Sequence, residues 1–320
     1  MSPRPSATPG RFTRAAPPSA ATATDDRTGA GLAGLTRRRA VGGLCALAAT
    51  PLLSPGAFAQ AAAATPLDLP LAIDSLINHI GVSVPDVIAS ATFHGRLFGG
   101  NNPRGEREPF LRYFINLNPG SVAIGPIGTF PASSLTVPHV DHYCVSAAPF
   151  DAVAWQRRLE TENLAYLGQG VFGDPDGIAI QVAGGQGGES LAAGSITELD
   201  PLYTGTPLVV PRGFDHLLLR VSSLDATAAF YERMFGFEVA RRDPDRIWIS
   251  DGDLRLAFRE AQSGEVPGID SYAVRTEPFD RPEVSARIAS MGGETGPVDG
   301  AANALRLTDP DGIRVELWPS

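Results

Sequence analysis

Hydrophobic and polar residues alternate along residues 79–84, where every second side chain is aliphatic. This period of two is that of a strand with one buried face, and it leaves His79 and Ser83 on the other face. From Asp86 to Phe98 the apolar residues are instead three or four positions apart, as on an amphipathic helix. The pattern therefore predicts a strand that leads directly into a helix.

Alternation and turn residues predict further elements in the same region of the chain. They are strands at 110–117, 121–127 and 140–146, a helix that begins at Asp151, and a hairpin over 171–182. The hairpin turns at Asp174-Pro175-Asp176-Gly177, where Pro presets its own φ and Gly ends the turn. The order strand, helix, strands thus occurs twice.

The chain also repeats itself on a larger scale. Residues 79–99 align without a gap with residues 216–236, at an offset of 137 residues, and share the His, a central Phe and the closing Phe-Gly. The hairpin sequence 174–178 recurs at 309–313 as Asp-Pro-Asp-Gly-Ile. One structural unit is therefore predicted to occur in tandem.

The repeats define the predicted domain boundaries. We predict one module at 60–183, a linker at 184–211 that is rich in Gly, Ser, Thr and Pro, and a second module at 212–320. Each module is itself halved, because its two strand-opening dipeptides resemble each other: Asn78-His79 and Asp141-His142 in the first module, Asp215-His216 and Asp270-Ser271 in the second.

Residues 1–59 have the pattern of a twin-arginine export signal. Arg37, Arg38 and Arg39 precede an apolar run of 14 residues that is followed by Ala-Phe-Ala before Gln60. The run is too short for a spanning helix, which needs about 20 residues. We therefore expect cleavage before Gln60 and a mature protein in the periplasm or outside the cell, with no membrane association.

Composition excludes several functional classes. Residues 60–320 contain 19 basic and 33 acidic residues, a formal charge of −14, which argues against nucleic-acid binding. All 26 basic residues of the chain are Arg, so a Schiff-base or general-base Lys is excluded. Cys144 is the single cysteine after residue 59, and stability must come from packed cores without an internal disulfide.

Four features together resemble the vicinal oxygen chelate superfamily, which includes glyoxalase I, type I extradiol dioxygenases and bleomycin-resistance proteins. They are the paired halves, the Asn/Asp-His strand openings, the aromatic pair before Leu/Met-Phe-Gly and the Asp-Pro-Asp-Gly hairpins. The resemblance covers nearly all of residues 60–320. It implies an α+β fold of two tandem modules, each of two βαβββ units, whose curved mixed sheets enclose a cup. This fold hosts lyases, isomerases, oxygenases and binding proteins.

The resemblance also implies a metal site in the first module. In this superfamily the ligands come from the opening strand of each half and from the last strand, positions that are His79, His142 and Gln181 here. Such a set leaves open positions on a divalent metal, with Fe(II) or Mn(II) favoured and Zn(II) or Ni(II) as alternatives. Gln181 departs from the Glu usual in the dioxygenases, and the alternative is a polar strand face without metal.

The equivalent positions of the second module are His216, Ser271 and Glu316. Ser271 replaces the second His, and three arginines on the same face oppose a divalent cation, so we expect a degenerate site in which Glu316 pairs with Arg. A pocket for a carboxylated ligand is the alternative. Elsewhere, His139 is the candidate acid or base, and Arg112 and Tyr113 are candidate substrate contacts.

From these observations we expect an exported metal-dependent enzyme, either a dioxygenase or a lyase, with a dioxygenase-type oxidoreductase first. Its substrate would be a small oxygen-bearing organic molecule such as a catechol, and its protein partner a second copy of the chain. The rival enzyme class is a glyoxalase-like lyase or isomerase. The lack of an acidic residue on the predicted cup face argues against it. The rival without catalysis is a small-molecule-binding protein of the bleomycin-resistance kind.

Overall fold

The structure is a computed structural model that describes residues 71, 73, 76–100, 104–105, 112–130, 133–147, 152–168, 170–184, 197–198 and 203–320. The predicted export signal and most of the predicted linker lie outside these residues. Within them, no helix is long and apolar enough to cross a membrane.

In the part of the chain that the structure describes, the helices are α1 (Val87–Phe98), α2 (Ala152–Thr161), α3 (Leu224–Phe235) and α4 (Arg281–Ser290). The strands of the first module are β1 (Ile77–Val84), β2 (Arg104–Gly105), β3 (Tyr113–Asn116), β4 (Ser121–Pro126), β5 (His139–Ala147), β6 (Tyr166–Gly168), β7 (Val171–Gly173) and β8 (Ala179–Gly184). After β9 (Thr197–Glu198), those of the second are β10 (Pro211–Val221), β11 (Glu238–Asp243), β12 (Arg246–Asp251), β13 (Leu254–Glu260), β14 (Gly268–Thr276), β15 (Glu294–Val298), β16 (Ala301–Thr308) and β17 (Arg314–Pro319).

Both modules have the same strand pairing. Their opening strands pair antiparallel, β1 with β5 and β10 with β14. Each opening strand also pairs in parallel with the last strand of its own half: β1 with β4, β5 with β8, β10 with β13 and β14 with β17. The expected α+β fold of tandem modules is confirmed. Four strands of each module lie side by side, so their polar residues form one surface.

The other face of these strands is apolar and packs against the helices. Phe93 of α1 and Phe230 of α3, the central aromatic residues of the repeat, are 4% and 1% exposed. Burial of such a side chain contributes roughly 1.5–3 kcal/mol. One core runs through both modules and includes Ile80, Val82, Leu217 and Leu219.

Among the residues that the structure describes, one strand pairing joins the sheets of the two modules. Val140 of β5 pairs antiparallel with Ile269 of β14, and the result is a continuous sheet of fifteen strands among the described residues. The end of the predicted linker is also tied down, because the N–H groups of Leu208 and Val209 donate to carbonyl oxygens in the last turn of α1. Those carbonyls have no partner within the helix.

Buried polar contacts connect the modules at two equivalent places. The Tyr143 hydroxyl donates to the Tyr231 hydroxyl (2.8 Å), which donates to Asp174 Oδ2 (3.3 Å). At the equivalent place His94 Nε2 lies 3.1 Å from the Tyr272 hydroxyl and 3.8 Å from Asp309 Oδ2. The helix of each module therefore reaches the hairpin turn of the other module, in a region without water access.

The turn aspartate Asp174 should give the protein a specific pH dependence. Burial raises its pKa to about 7, far above the 3.9 or so of an unfolded chain. Between these values the unfolded chain loses the proton while the folded protein keeps it. The free energy of unfolding should therefore fall by about 1.4 kcal/mol per pH unit as pH rises from about 4 to 7.

Asp174→Asn should remove this component, because an amide keeps the acceptor for the turn N–H groups but does not titrate. Urea unfolding at several pH values measures it, with the exposed Asp299→Asn as the matched control. A difference between wild type and Asp174→Asn that stays constant from pH 4 to pH 7 would show that Asp174 does not titrate in this way.

Candidate metal centre

A β-bulge lies at the start of each opening strand. Ile77 pairs with Val145 and His79 with Cys144, so Asn78 is an extra residue on β1. By the same count of register, Asp141 is extra on β5, Asp215 on β10 and Asp270 on β14. A bulge turns two consecutive side chains toward the same face of the sheet. Each candidate ligand position on these strands is thus directly preceded by a bulge residue with an amide or carboxylate side chain that points to the same face.

The bulge residue holds the neighbouring imidazole by its Nδ1 atom. His79 Nδ1 donates to Asn78 Oδ1 (2.9 Å), and His142 Nδ1 donates to the Asp141 carboxylate. In this tautomer the lone pair of each imidazole is on Nε2. These two Nε2 atoms lie 3.1 Å apart. Two lone pairs at this distance repel each other, so the arrangement favours a proton or a cation between them.

The separation fits two imidazole ligands of one divalent ion. Metal–nitrogen bonds of about 2.1 Å that end on atoms this far apart enclose an angle of about 95°, as for neighbouring ligands of an octahedral ion. Burial lowers the pKa of His79 to about 3, and the His142 and Arg112 charges add to the effect. A neutral imidazole is the form that binds metal.

Gln181 lies beside the two histidines. It is opposite Cys144 in the parallel pairing of β5 with β8, while its neighbours Ile180 and Val182 belong to the apolar core. Its side chain hydrogen bonds to His79. Among the described residues no group of three His, Cys, Asp or Glu side chains could hold a metal. Gln181 as the third ligand stays a prediction from the family resemblance.

Asp141 is the residue that the sequence pattern missed. Strict alternation places it with the apolar residues of β5, and the bulge instead turns it into the cup, where Ser83 Oγ donates to Oδ2 at 2.5 Å. Although burial alone raises its pKa, the His142 imidazole lowers the pKa of Asp141 below its ordinary value. The expectation that the cup lacks an acidic residue was therefore wrong. The repeated Asn/Asp-His dipeptide was the available signal.

Gly81 makes the Asp141–His142 contact possible. Paired with His142 across the ladder, it carries no side chain, and a Cβ atom there would lie 2.2 Å from both Asp141 Oδ1 and the imidazole ring. Phe130 stacks on the His142 ring at 4.1 Å between ring centroids. The imidazole is thus fixed by a hydrogen bond, an aromatic face and the absence of a methyl group.

Arg112 is the cationic residue near this site. Its Nη2 donates to Thr129 Oγ1 (3.4 Å), and its side chain passes over Gly125, where a Cβ atom would lie 3.1 Å from it. The charge of Arg112 lowers the pKa values of both His79 and Asp141. A positive group that is felt at the histidines is suited to an anionic substrate.

Two predicted residues are placed differently. Tyr113 lies in the apolar core at 6% exposure, because the alternation of β3 turns Phe114 toward the polar side, 6.3 Å from the His79 ring. As a substrate contact, Tyr113 was therefore a wrong prediction. His139, at the start of β5, has both ring nitrogens hydrogen-bonded, one with Ser133 Oγ (2.6 Å) and one with the Val137 carbonyl oxygen (2.7 Å), and its role as acid or base stays a prediction.

The second module keeps half of this arrangement. His216 Nδ1 donates to Asp215 Oδ1 (2.8 Å), and His216 Nε2 lies 3.7 Å from Glu316 Oε2. Trp318 Nε1 also donates to Glu316 (2.9 Å). Ser271, at 5% exposure, stands where a second imidazole would be. The expected ion pair of Glu316 with an arginine does not form: of the three arginines on this face, Arg220 and Arg314 pair with the bulge residue Asp270, and Arg275 lies 4.0 Å from Asp253.

Residues 213–317 match the sequence model of the Glyoxalase/Bleomycin resistance protein/Dioxygenase superfamily. A search of curated protein sequences gave no significant match. The sequence-based resemblance to the vicinal oxygen chelate superfamily is thus confirmed, with the family match itself lying in the second module.

Solved structures with the same fold extend over most of the chain. They include a Mn(II)-bound glyoxalase from Novosphingobium aromaticivorans (16% identity, TM-score 0.56, 77% of this chain and 82% of that one) and homoprotocatechuate 2,3-dioxygenase from Arthrobacter globiformis (15%, 0.56, 80% and 83%). The 2,3-dioxygenase LapB from Pseudomonas sp. KL28 is a third (16%, 0.55, 78% and 93%). At these identities the likeness establishes the fold.

Gly81→Ala should break the Asp141–His142 contact, because the added methyl group occupies the place of the imidazole. We expect the free energy of unfolding to fall by about 1–3 kcal/mol, as for other overpacked sites. The downfield proton NMR signal of His142 Nδ1–H should shift or vanish. Gly268→Ala on β14 is the control, since its Cβ would meet nothing closer than 3.7 Å. Equal effects of the two substitutions would contradict this account of Gly81.

Proposed function

We propose that the first module holds one divalent metal ion and that the protein is a dioxygenase-type oxidoreductase for a small oxygen-bearing molecule, with catechols as the first class to test. The observation that carries the proposal is the pair of imidazoles whose Nε2 atoms lie 3.1 Å apart while both Nδ1 atoms are engaged. This pattern of outer hydrogen bonds is typical of metal-ligating histidines.

The ligand set favours a metal that accepts nitrogen and neutral oxygen donors and keeps open positions. His79, His142 and the Gln181 amide would hold it, and Fe(II) or Mn(II) suits this set. When bound, the ion would act as a Lewis acid and a template for substrate oxygens. The dioxygenases and the Mn(II)-bound glyoxalase among the structural neighbours support a divalent ion in this fold.

The chain's own side chains would bind and orient the substrate. Arg112 would attract an anionic substrate to the histidine pair, and its planar guanidinium suits a phenolate or carboxylate. Phe114 and Phe130 give apolar contact beside His79 and His142, which limits water at the reacting oxygens. Asp141 would keep His142 in one tautomer with Nε2 toward the site.

A glyoxalase-like lyase is the second candidate, and Asp141 is the observation that favours it. A lyase of this kind needs a carboxylate that moves a proton. Asp141 is in the cup, but its two oxygens are engaged by His142 and Ser83. Its geometry therefore fits an orienting group better than a proton shuttle, and the oxygenase stands first. Export by the twin-arginine route remains part of the proposal, on the sequence of residues 1–59.

Titration of the apo-protein with Fe(II) or Mn(II) under argon tests the metal site. Gln181→Glu should tighten binding by about tenfold or more, since a carboxylate places a full charge beside the cation. His142→Ala should nearly abolish binding, because one imidazole remains. His216→Ala, in the second module, is the matched control and should leave the affinity unchanged. Equal affinity of the wild type, Gln181→Glu and His142→Ala would refute the site.

Oxygen uptake with a panel of catechols and 2-oxoaldehydes, together with metal analysis of protein purified without oxygen, tests the reaction class. Iron or manganese with uptake of O₂ supports the oxygenase. Zinc or nickel with isomerisation of an oxoaldehyde adduct supports the lyase. If the protein retains a ligand but contains no metal and shows no turnover, both enzyme hypotheses would be rejected in favour of a small-molecule-binding protein.

A further inference from the structure

An arginine row crosses the polar face of the second module. Arg246 of β12 pairs in register with Arg259 of β13, which pairs with Arg220 of β10. Arg314 of β17 reaches the same place from the far side of β14, where it contacts Asp270. We call these four residues the arginine row. Like charges directly opposite each other on neighbouring strands are destabilising unless other groups compensate them.

The compensation is incomplete. Asp270, whose side chain is 4% exposed, is contacted by Arg220 (3.1 Å), Arg259 (3.2 Å) and Arg314. Glu265 accepts two hydrogen bonds from Arg259, at 2.6 and 2.8 Å. Two carboxylates thus contact three of the four guanidinium groups. Asp243, opposite Arg246 in the pairing of β11 with β12, is engaged by Arg241 and Trp248. The row carries an excess of positive charge on a chain whose formal net charge is −9.

Hydrogen-bond donors are also left over. Arg259 is saturated by Asp270 and Glu265 and is fixed in place. In contrast, the Nε–H groups of Arg220 and Arg246 are buried and have no acceptor among the described residues. A buried donor without an acceptor is costly, and a water molecule or an anion can supply the acceptor. Arg220 and Arg314 remain 25% and 41% exposed, so an acceptor can arrive from solvent.

We infer that the arginine row binds a small oxyanion, the carboxylate or phosphate group of a small molecule. Guanidinium groups are planar forks that match these two groups in geometry as well as in charge. Leu218 and Ala257, two residues before Arg220 and Arg259 on the same strands, are 8% and 0% exposed. They leave no space beside the arginines on that side, so the rest of the ligand would face solvent. The site is separate from the histidine pair of the first module and does not depend on the function proposed for it.

Calorimetric titration of the full chain at low ionic strength tests the inference, with inorganic phosphate and acetate as probes. We expect saturable binding of at least one. Phosphate alone, acetate alone, or both would identify the group as phosphate, as carboxylate, or as any compact oxyanion. The expected stoichiometry is one anion per chain. No saturable heat with either probe would overturn the proposal.

Two substitutions with opposite expected effects locate the site. Arg220→Gln should weaken binding about tenfold or more, because it removes a charge and three of five N–H donors. Glu265→Gln should tighten it, because it frees one fork of Arg259. Arg242→Gln is the matched control for charge, since Arg242 pairs with Asp225 outside the row.

Arg220→Gln removes one ion-pair partner of the buried Asp270 and can unfold the protein, so circular dichroism should accompany each titration. If Arg220→Gln does not fold, the result for Glu265→Gln decides. Weaker binding by Glu265→Gln, or equal weakening by Arg242→Gln and Arg220→Gln, would place the anion elsewhere and overturn the assignment.

Discussion

The hydrogen bond from an imidazole Nδ1 to the residue before it is the interaction on which the candidate site depends. It occurs at His79, His142 and His216, each time with the bulge residue as acceptor. A regular strand points consecutive side chains to opposite faces and could not form it. The bulge therefore fixes the ring orientation and the tautomer together, and it leaves Nε2 as the atom that faces the cup.

The same interaction explains why the two modules differ. In the first module the second imidazole is present. There Asp141 has His142 as its partner, and the polar face presents the Nε2 atoms of two imidazoles. Where Ser271 stands instead, Asp270 is a buried carboxylate with no neighbouring imidazole, and burial of an unpaired charge is expensive. Arg220, Arg259 and Arg314 supply the missing positive charge. The loss of one histidine is thus accompanied by a change from a face suited to a cation to one suited to an anion.

Much of this fold could be predicted from the sequence, because the repeat and the strand periodicity are local signals. The opening strand at 79–84 and the placement of Gln181 opposite the core residues of β8 follow from alternation, and the helix after Asp86 follows from apolar residues three or four positions apart. Alternation failed where the backbone departs from it. The bulge at Asp141 moved a carboxylate into the cup, and the phase of β3 put Tyr113 in the core.

Charge pairing was the other failure. Sequence separation gave no reason to prefer Asp270 over Glu316 as the partner of the arginines, since this choice depends on which carboxylate is buried without an imidazole. His139 likewise could not be judged from sequence, because its partners Ser133 and Val137 belong to the segment just before β5.

The contact of each module's helix with the hairpin turn of the other module has a consequence for how the chain can be divided. Tyr231 of one module meets Asp174 of the other, and His94 meets Tyr272 and Asp309 in the opposite sense. An isolated copy of residues 213–317 would expose Tyr231 and would leave Tyr272 and Asp309 without His94. The repeat that is visible in the sequence is therefore not self-contained in the structure, because each copy buries a polar side chain whose partner lies in the other copy.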